Sequence, residues 1–193
     1  MALEDTKNAI INVASKLFSR FGFHKTSMDE IARLARKAKG SLYYHFPSKE
    51  DLFKEVVGKE FEYLKASLLQ VVNDPALSPK EKLKKYLLKR MEILSESKNY
   101  HETLQADFYE HFSFLDELRL ELTQWEKQQI KKIIDEGIKA GVFITYFNTD
   151  VAIDVFMLVL RGLEVPFFLQ NQFSRYAPHF DDLLTVITRG ISV

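Results

Sequence analysis

The sequence predicts an all-α protein of about nine helices, with a compact three-helix unit at the front and a larger helical region behind it. Three observations carry this. Apolar residues recur at three- and four-residue spacing along most of the chain, the alternation of a half-buried strand is nearly absent, and capping patterns fall between the periodic stretches. With 193 residues, 46% of them hydrophobic, the chain can bury a substantial core.

The elements follow in order. In "NAIINVASKLFSRFGFHKTS" the apolar positions Ile10, Val13, Ala14, Leu17, Phe18 and Phe21 share helical spacing, and Gly22 supplies a C-terminal stop. Ser27 and Glu30 form a capping box ahead of Ile31, Ala32, Leu34 and Ala35, and "RKAKG" breaks that second helix early. "SLYYHF" reads as a third short helix ended by Pro47, and Ser48 with Asp51 launches a long one over about 49–72. Two short helices across a tight turn make a helix-turn-helix arrangement. Asn73-Asp74-Pro75 is a loop, then Ser78, Pro79 and Glu81 start a helix over about 79–97. A short segment over about 100–107 precedes a long pattern over about 110–140. Gly141 and "NTD" (148–150) punctuate before a helix to about Leu169, and "SRYAP" separates it from a last helix near 179–189.

Composition excludes several classes of function. There are no cysteines, which removes disulfides, thiolate nucleophiles and Cys-ligated zinc and fits a reducing compartment. No basic segment followed by an apolar run opens the chain, so a signal peptide is not expected. The stretch "VAIDVFMLVLRGLEVPFFL" is broken by Asp154, Arg161, Glu164 and Pro166, so it reads as a buried helix, with no membrane partner. The five histidines are scattered, no metal-ligand spacing appears, and neither a Ser-His-Asp set nor a glycine-rich phosphate loop after a strand is present. No catalytic residue, metal or cofactor is expected. Residues 1–50 hold nine Lys/Arg against five Asp/Glu, and the remainder holds 18 against 22. The front end alone suits an anionic partner.

Within "KAKGSLYYHF", Leu42 and Phe46 are four apart and share one face, suited to pack on Leu17, Ile31 and Leu34. Lys39 and Tyr43 share another face, with Ser41, Tyr44 and His45 beside it. A helix that enters a DNA groove must show small or polar side chains flanked by groups that hold phosphates. Lys39 offers charge, Ser41, Tyr43 and His45 offer hydrogen-bond donors, and Gly40 permits close approach. Lys37 and Lys49 stand just outside, and Thr26 and Ser27 open the preceding helix, whose free N–H groups can hold a phosphate. Two adjacent tyrosines cannot both face inward.

The stretch "LFSRFGFHKTSMDEIARLARKAKGSLYYHFPSKEDLF" (17–53) resembles the N-terminal DNA-binding domain of the TetR family of transcriptional regulators. The matching features are Phe18, Gly22 and Phe23, "TS" followed by "EIA", and "KGSLYYHFPSKEDL" at the expected spacing. The resemblance implies a helix-turn-helix DNA-binding domain over 1–48 and a helical ligand-binding and dimerisation domain over 49–193. It also implies a cytoplasmic homodimer on a palindromic double-stranded operator. The implied DNA contacts are Thr26, Ser27, Met28, Lys39, Gly40, Ser41, Tyr43, Tyr44, His45 and Lys49. In the turn the family commonly has Gly-Val-Ser where this chain has Arg36-Lys37-Ala38. A positive φ at Arg36 would cost about 1 kcal/mol, and the missing serine removes a cap worth about as much.

The larger region resembles the family in architecture, most visibly in "EGIKAGVFITYFNTDVAIDVFMLVLRGL". Tyr63, Met91, Tyr100, Phe108, Phe112, Trp125 and Phe156 are candidates to line an apolar cavity for a small apolar or aromatic effector, or are simply core. The last two helices are apolar on nearly all sides, and a partner subunit would bury the excess in a four-helix interface. The expected function is a ligand-responsive regulator, by family habit a repressor, whose effector moves the long fourth helix and spoils the spacing of two recognition helices. The alternatives are a helical protein-interaction adaptor and, behind it, a small-molecule enzyme.

Overall fold

The computed structural model describes residues 2–109, 112–144 and 148–190, and the side chains of 2, 3, 106–109, 183, 184, 187, 188 and 190 lie outside the description. The helices are α1 (Ala2–Phe21), α2 (Met28–Leu34), α3 (Lys39–His45), α4 (Lys49–Val72), α5 (Pro79–Glu96), α6 (Lys98–Tyr109), α7 (Asp116–Lys139), α8 (Thr149–Glu164), a single turn α9 (Phe173–Tyr176) and α10 (Phe180–Gly190). Among the described residues, nine helices have seven residues or more and no extended strand occurs. The fold is all-α.

The capping residues act as their chemistry requires. Ser27 Oγ accepts from the Glu30 N–H at 3.2 Å, and Ser48 Oγ accepts from Asp51 at 3.0 Å. At Ser78 the backbone N–H donates to the Glu81 carboxylate at 2.8 Å, the reciprocal half of a capping box. Asn148 caps α8 by accepting from Val151. Helix α7 begins at Asp116, later than the periodicity suggests, because Phe112 takes a non-helical ψ of 70° and a 3-10 turn over Ser113–Leu115 intervenes. Beyond Glu164 the helix widens into a π turn, Val165–Leu169. Pro166 brings no N–H to this turn, and Gln170 N reaches back five residues to Val165 O at 3.3 Å.

Packing groups the chain into two compact units. The first comprises Met1–Glu62 with Ser97–Leu118 and holds α1 to α3, the first half of α4, and α6. Its core joins Ile10, Ala14 and Phe18 of α1, Ile31 of α2, Leu42 and Phe46, and Leu52, Phe53 and Val56 of α4. An aromatic cluster continues it: Phe53 lies 5.0 Å from both Phe18 and Phe23, and Phe112 lies 5.1 Å from Phe23 and 5.2 Å from Phe114. Ring pairs of this kind add about 0.5–1.5 kcal/mol each beyond their buried area. Of the two readings the sequence leaves for Phe112, cavity lining or core, the ring cluster places it in this core. Leu34, expected in the same core, stands 51% exposed on the last turn of α2.

The second unit comprises Tyr63–Glu96 with Arg119–Val193. Its apolar core includes Leu64, Leu68, Leu87, Met91, Ile130, Ile133, Ile153 and Leu160. Inside it sits a charged triad. The Arg90 guanidinium donates to Glu126 at 2.7 and 3.3 Å and to Glu164 at 2.7 Å, so α5, α7 and α8 are tied at one point, with all three side chains almost wholly buried. The nearby Tyr86 hydroxyl is buried, and burial followed by the Glu126 carboxylate pushes its pKa well above the ordinary phenol range. Gly137 lets α7 close on the loop behind it, since a Cβ there would stand 2.0 Å from the Phe143 ring.

Candidate nucleic-acid interface

Helix α3 divides its side chains as its periodicity dictates. Leu42 and Phe46 are buried, which seats the helix on α1 and α2, while Tyr43 is 41% and Tyr44 is 75% exposed. Ser41 and His45 are half-buried at the edge of that surface, and the His45 ring stands 5.3 Å from that of Tyr44. A Cβ on Gly40 would meet no atom within 4 Å. The fold itself leaves this position open to a close-approaching backbone. Both tyrosines of the adjacent pair thus face outward, and Tyr44 more so than Tyr43.

The turn before α3 is irregular in the way its sequence implies. Arg36 has φ +54°. It occupies the left-handed position of a Schellman motif, with Lys37 N donating to Ala32 O at 3.0 Å and Arg36 N to Arg33 O at 3.1 Å. Glycine is the usual residue there, and an L side chain in that region costs about 1 kcal/mol. Ala38 sits at the N-cap of α3 with no side-chain cap bond. Arg36 is exposed, while the Lys37 ammonium donates to Thr6 Oγ1 at 3.2 Å and so is partly occupied within the unit.

The remaining expected contacts fall differently. Ser27 is exposed, but its hydroxyl is used as the N-cap of α2. Thr26 is buried, with its hydroxyl donating to Gly22 O at 2.8 Å, and Met28 is buried as well. Neither side chain can reach a partner, so what this corner offers is backbone N–H at the start of α2. Lys49 is also turned inward. Its ammonium donates to Phe23 O at 3.0 Å and to Thr26 O at 3.3 Å and lies 4.3 Å from the Phe23 ring centroid. A lysine that satisfies two carbonyls in this way holds the reading unit together, so its ammonium is occupied within the unit at the position expected for a phosphate contact.

The N–H of Phe23 is held as well. Glu102 of α6 accepts from the Phe23 N–H at 2.9 Å, and Gly22, with φ +85°, leaves room for that carboxylate, since a Cβ there would stand 3.0 Å from it. The start of α6 is itself capped by Glu60 of α4. That carboxylate accepts from Asn99 N at 3.2 Å, Asn99 Nδ2 at 2.8 Å and Tyr100 N at 2.8 Å, and burial raises its pKa despite these bonds. Lys39, the first residue of α3, pairs with Asp29 of α2 at 2.7 Å, and this hydrogen-bonded carboxylate raises the lysine pKa. Sequence reasoning passed over Glu60, Glu102 and Asp29 because no spacing links residues that meet only through the fold.

The seven residues expected around an effector do not come together as one lining. Tyr63 is 63% exposed. Met91 is buried core, Trp125 and Phe156 are half-buried, and all three belong to the second unit. Tyr100 and Phe112 are buried in the first unit, where Tyr100 packs at 5.5 Å on Phe61. The Phe108 side chain lies outside the described residues. Surface clefts of about 520 and 460 Å³ open on the first unit and another of about 460 Å³ on the second, and none of these three is lined by any of the seven. Among the described residues no group of His, Asp and Glu has metal-binding geometry, and no helix is long and apolar enough to cross a membrane.

The sequence profile "Bacterial regulatory proteins, tetR family" matches residues 10–56, which is α1 through the start of α4. The HTH-type transcriptional regulator RutR of Escherichia coli O157:H7 is 33% identical over 135 residues, 70% of this chain and 59% of that protein, so the chain spans under two thirds of that relative. A transcriptional regulator from Cytophaga hutchinsonii has the same fold with a TM-score of 0.78 and 25% identity, over 95% of this chain and 97% of that one. FadR from Bacillus subtilis, solved with stearoyl-CoA, shares the fold at a TM-score of 0.73 and 19% identity, over 91% and 96% of the two chains. On its reading-unit motif and its fold, the chain belongs to the tetR family of bacterial regulatory proteins.

Proposed function

We propose that this protein is a DNA-binding transcription regulator, a repressor that grips a palindromic operator as a cytoplasmic homodimer and lets go when a small apolar or aromatic effector binds. The observation that carries the reading is α3. Two tyrosines stand exposed beside an open glycine on a helix whose opposite face is sealed by Leu42 and Phe46, with Ser41 at the edge and Lys39 at the first residue. A surface of this kind presents hydrogen-bond donors to base edges and phosphates on a rigid support. On this reading residues 1–48 read DNA, and 49–193 bind effector and pair the subunits. The contacts are Gly40, Ser41, Tyr43, Tyr44, His45 and Lys39, with Lys37 and the N–H groups at Ser27 and Met28 on the backbone.

A second feature supports the homodimer. Val151, Val155, Leu158 and Val159 lie exposed along α8 at positions that share one face, and Val186 of α10 is exposed as well. A contiguous apolar stripe of this length on a helix calls for a partner, and a second copy related by a two-fold axis buries the same stripe on both. The effector component rests on the family resemblance and on FadR, which was solved with stearoyl-CoA. The regulator is read as no enzyme, as its relatives' names are those of regulators.

The test is selection of a duplex from a random pool, followed by titration of the wild-type, Tyr43→Ala and Lys39→Ala proteins at several salt concentrations. A regulator selects a two-fold symmetric sequence, loses affinity in both variants, and shows log K falling linearly with log salt. A protein that selects nothing and binds no duplex is an adaptor or an enzyme, and the proposal fails.

A further inference from the structure

A carboxylate on a surface built to meet a polyanion needs an explanation, and Asp29 has no structural one of sufficient weight. It is the second residue of α2, where an acid favours the helix dipole, yet Ser27 already caps that end. Its two oxygens lie 2.7 and 3.0 Å from Lys39 Nζ, and both side chains are more than half exposed. An ion pair so open to water contributes little to stability. Lys39 Nζ also stands 5.9 Å from the ring centroid of Tyr43 on the same face of α3. The first cation of the recognition helix is thus held between a carboxylate and an aromatic ring instead of reaching outward.

We propose that Asp29 is a specificity-determining residue of the reading surface: it holds the Lys39 ammonium back from phosphates and so suppresses binding to DNA of arbitrary sequence. This rests on the reading of the chain as a DNA-binding regulator. Non-specific binding is almost wholly counterion release by Lys and Arg, so a lysine paired internally is subtracted from it. At the operator the exchange is favourable, because the bases opposite α3 give the lysine acceptors such as guanine O6 and N7. The freed carboxylate can accept from a cytosine amino group. Asp29 therefore costs affinity everywhere and costs least at the right sequence.

The experiment measures binding of full-length wild type, Asp29→Asn, Lys39→Gln and the double variant by fluorescence anisotropy. Two duplexes are used, one selected from a random pool by the wild type and one with the same bases shuffled, across a salt series. Asp29→Asn is expected to bind the shuffled duplex on the order of tenfold tighter at low salt, with the salt slope steepened by about one per subunit. It gains less on the selected duplex, so the ratio of the two affinities falls. In the Lys39→Gln background the same substitution leaves that ratio unchanged. An equal gain on both duplexes, no gain, a loss on both, or the same fall in ratio without Lys39 overturns the assignment. Melting curves separate loss of α2 from loss of discrimination, because Asp29 is exposed and the Ser27 cap remains in the variant. A wild-type protein that binds no duplex removes the regulator reading, and this inference with it. Salt-dependent wild-type selection with a silent Asp29→Asn removes this inference alone.

Discussion

Replacing Arg90 by methionine removes the guanidinium that the structure sets between Glu126 and Glu164 in the core of the second unit. The guanidinium makes three charged hydrogen bonds there, two of them at 2.7 Å, and none of the three side chains is more than a few per cent exposed. Methionine fills much of the volume but leaves two carboxylates in a low-dielectric interior without that partner. Breaking a buried pair from one side typically costs about 3–5 kcal/mol. For a chain of this length each kcal/mol moves the melting temperature by about 2–4 °C, so the fall expected is about 6–20 °C. The assay is thermal and urea unfolding at fixed protein concentration, followed by circular dichroism and by fluorescence of Trp125, the single tryptophan. The companion variant Arg90→Met with Glu126→Leu and Glu164→Leu should recover at least half of the loss, because desolvating the triad is itself expensive and apolar packing of similar volume avoids it. A single variant that loses less than about 1 kcal/mol, or a triple variant no better than the single, would refute the reasoning.

Three further outcomes are expected. Arg36→Gly relieves the left-handed backbone at φ +54° and should raise stability by about 1 kcal/mol in a melting experiment, whereas an unchanged melting temperature would mean the turn is not strained. Glu60 has its pKa raised by burial above the ordinary 4.5, so folding takes up a proton. Its favourable contribution is full below the unfolded value and is lost as pH rises through the folded one. Glu60→Gln should therefore flatten the pH dependence of melting just above 4.5, and a difference between the two proteins that is constant with pH speaks against it. Leu158→Glu places a charge in the exposed stripe of α8, where Leu158 is 68% exposed, and should weaken self-association at least tenfold in sedimentation equilibrium while leaving the helical content intact.

The fold was legible where local chemistry decides it. Ser27, Ser48 and Ser78 cap where their side chains predict, and the alternation within α3 follows from the four-residue spacing of Leu42 and Phe46. The left-handed backbone at Arg36 was anticipated through the resemblance, since this residue stands where the family commonly has glycine. Lys49 was not legible: a lysine one residue past a cap looks solvated until the fold brings the carbonyls of Phe23 and Thr26 within reach. The same holds for Thr26 and Met28, whose family position says nothing about which way the side chain turns. Aromatic composition likewise could not separate Phe112, which completes a cluster of rings, from Tyr63, which stands in solvent. The Arg90 triad was invisible for a related reason, since its members lie 36 and 74 residues apart and look like ordinary charges on amphipathic helices.

The bond from Glu102 to the peptide of Phe23 has a consequence for reciprocity. Phe23 has its N–H on a carboxylate of α6 and its carbonyl on an ammonium at the start of α4. The two peptide groups that meet at the Phe23 Cα are thus each held by a charge, and the two charges come from different helices. Any agent that draws α6 away must break the N–H side of this arrangement at the threshold of the reading unit. An agent that weakens DNA binding through this bond is itself bound more weakly, by the same free energy, when DNA is present, because coupling between two binding events is symmetric. The amide proton of Phe23 should then exchange more slowly with solvent when operator is bound.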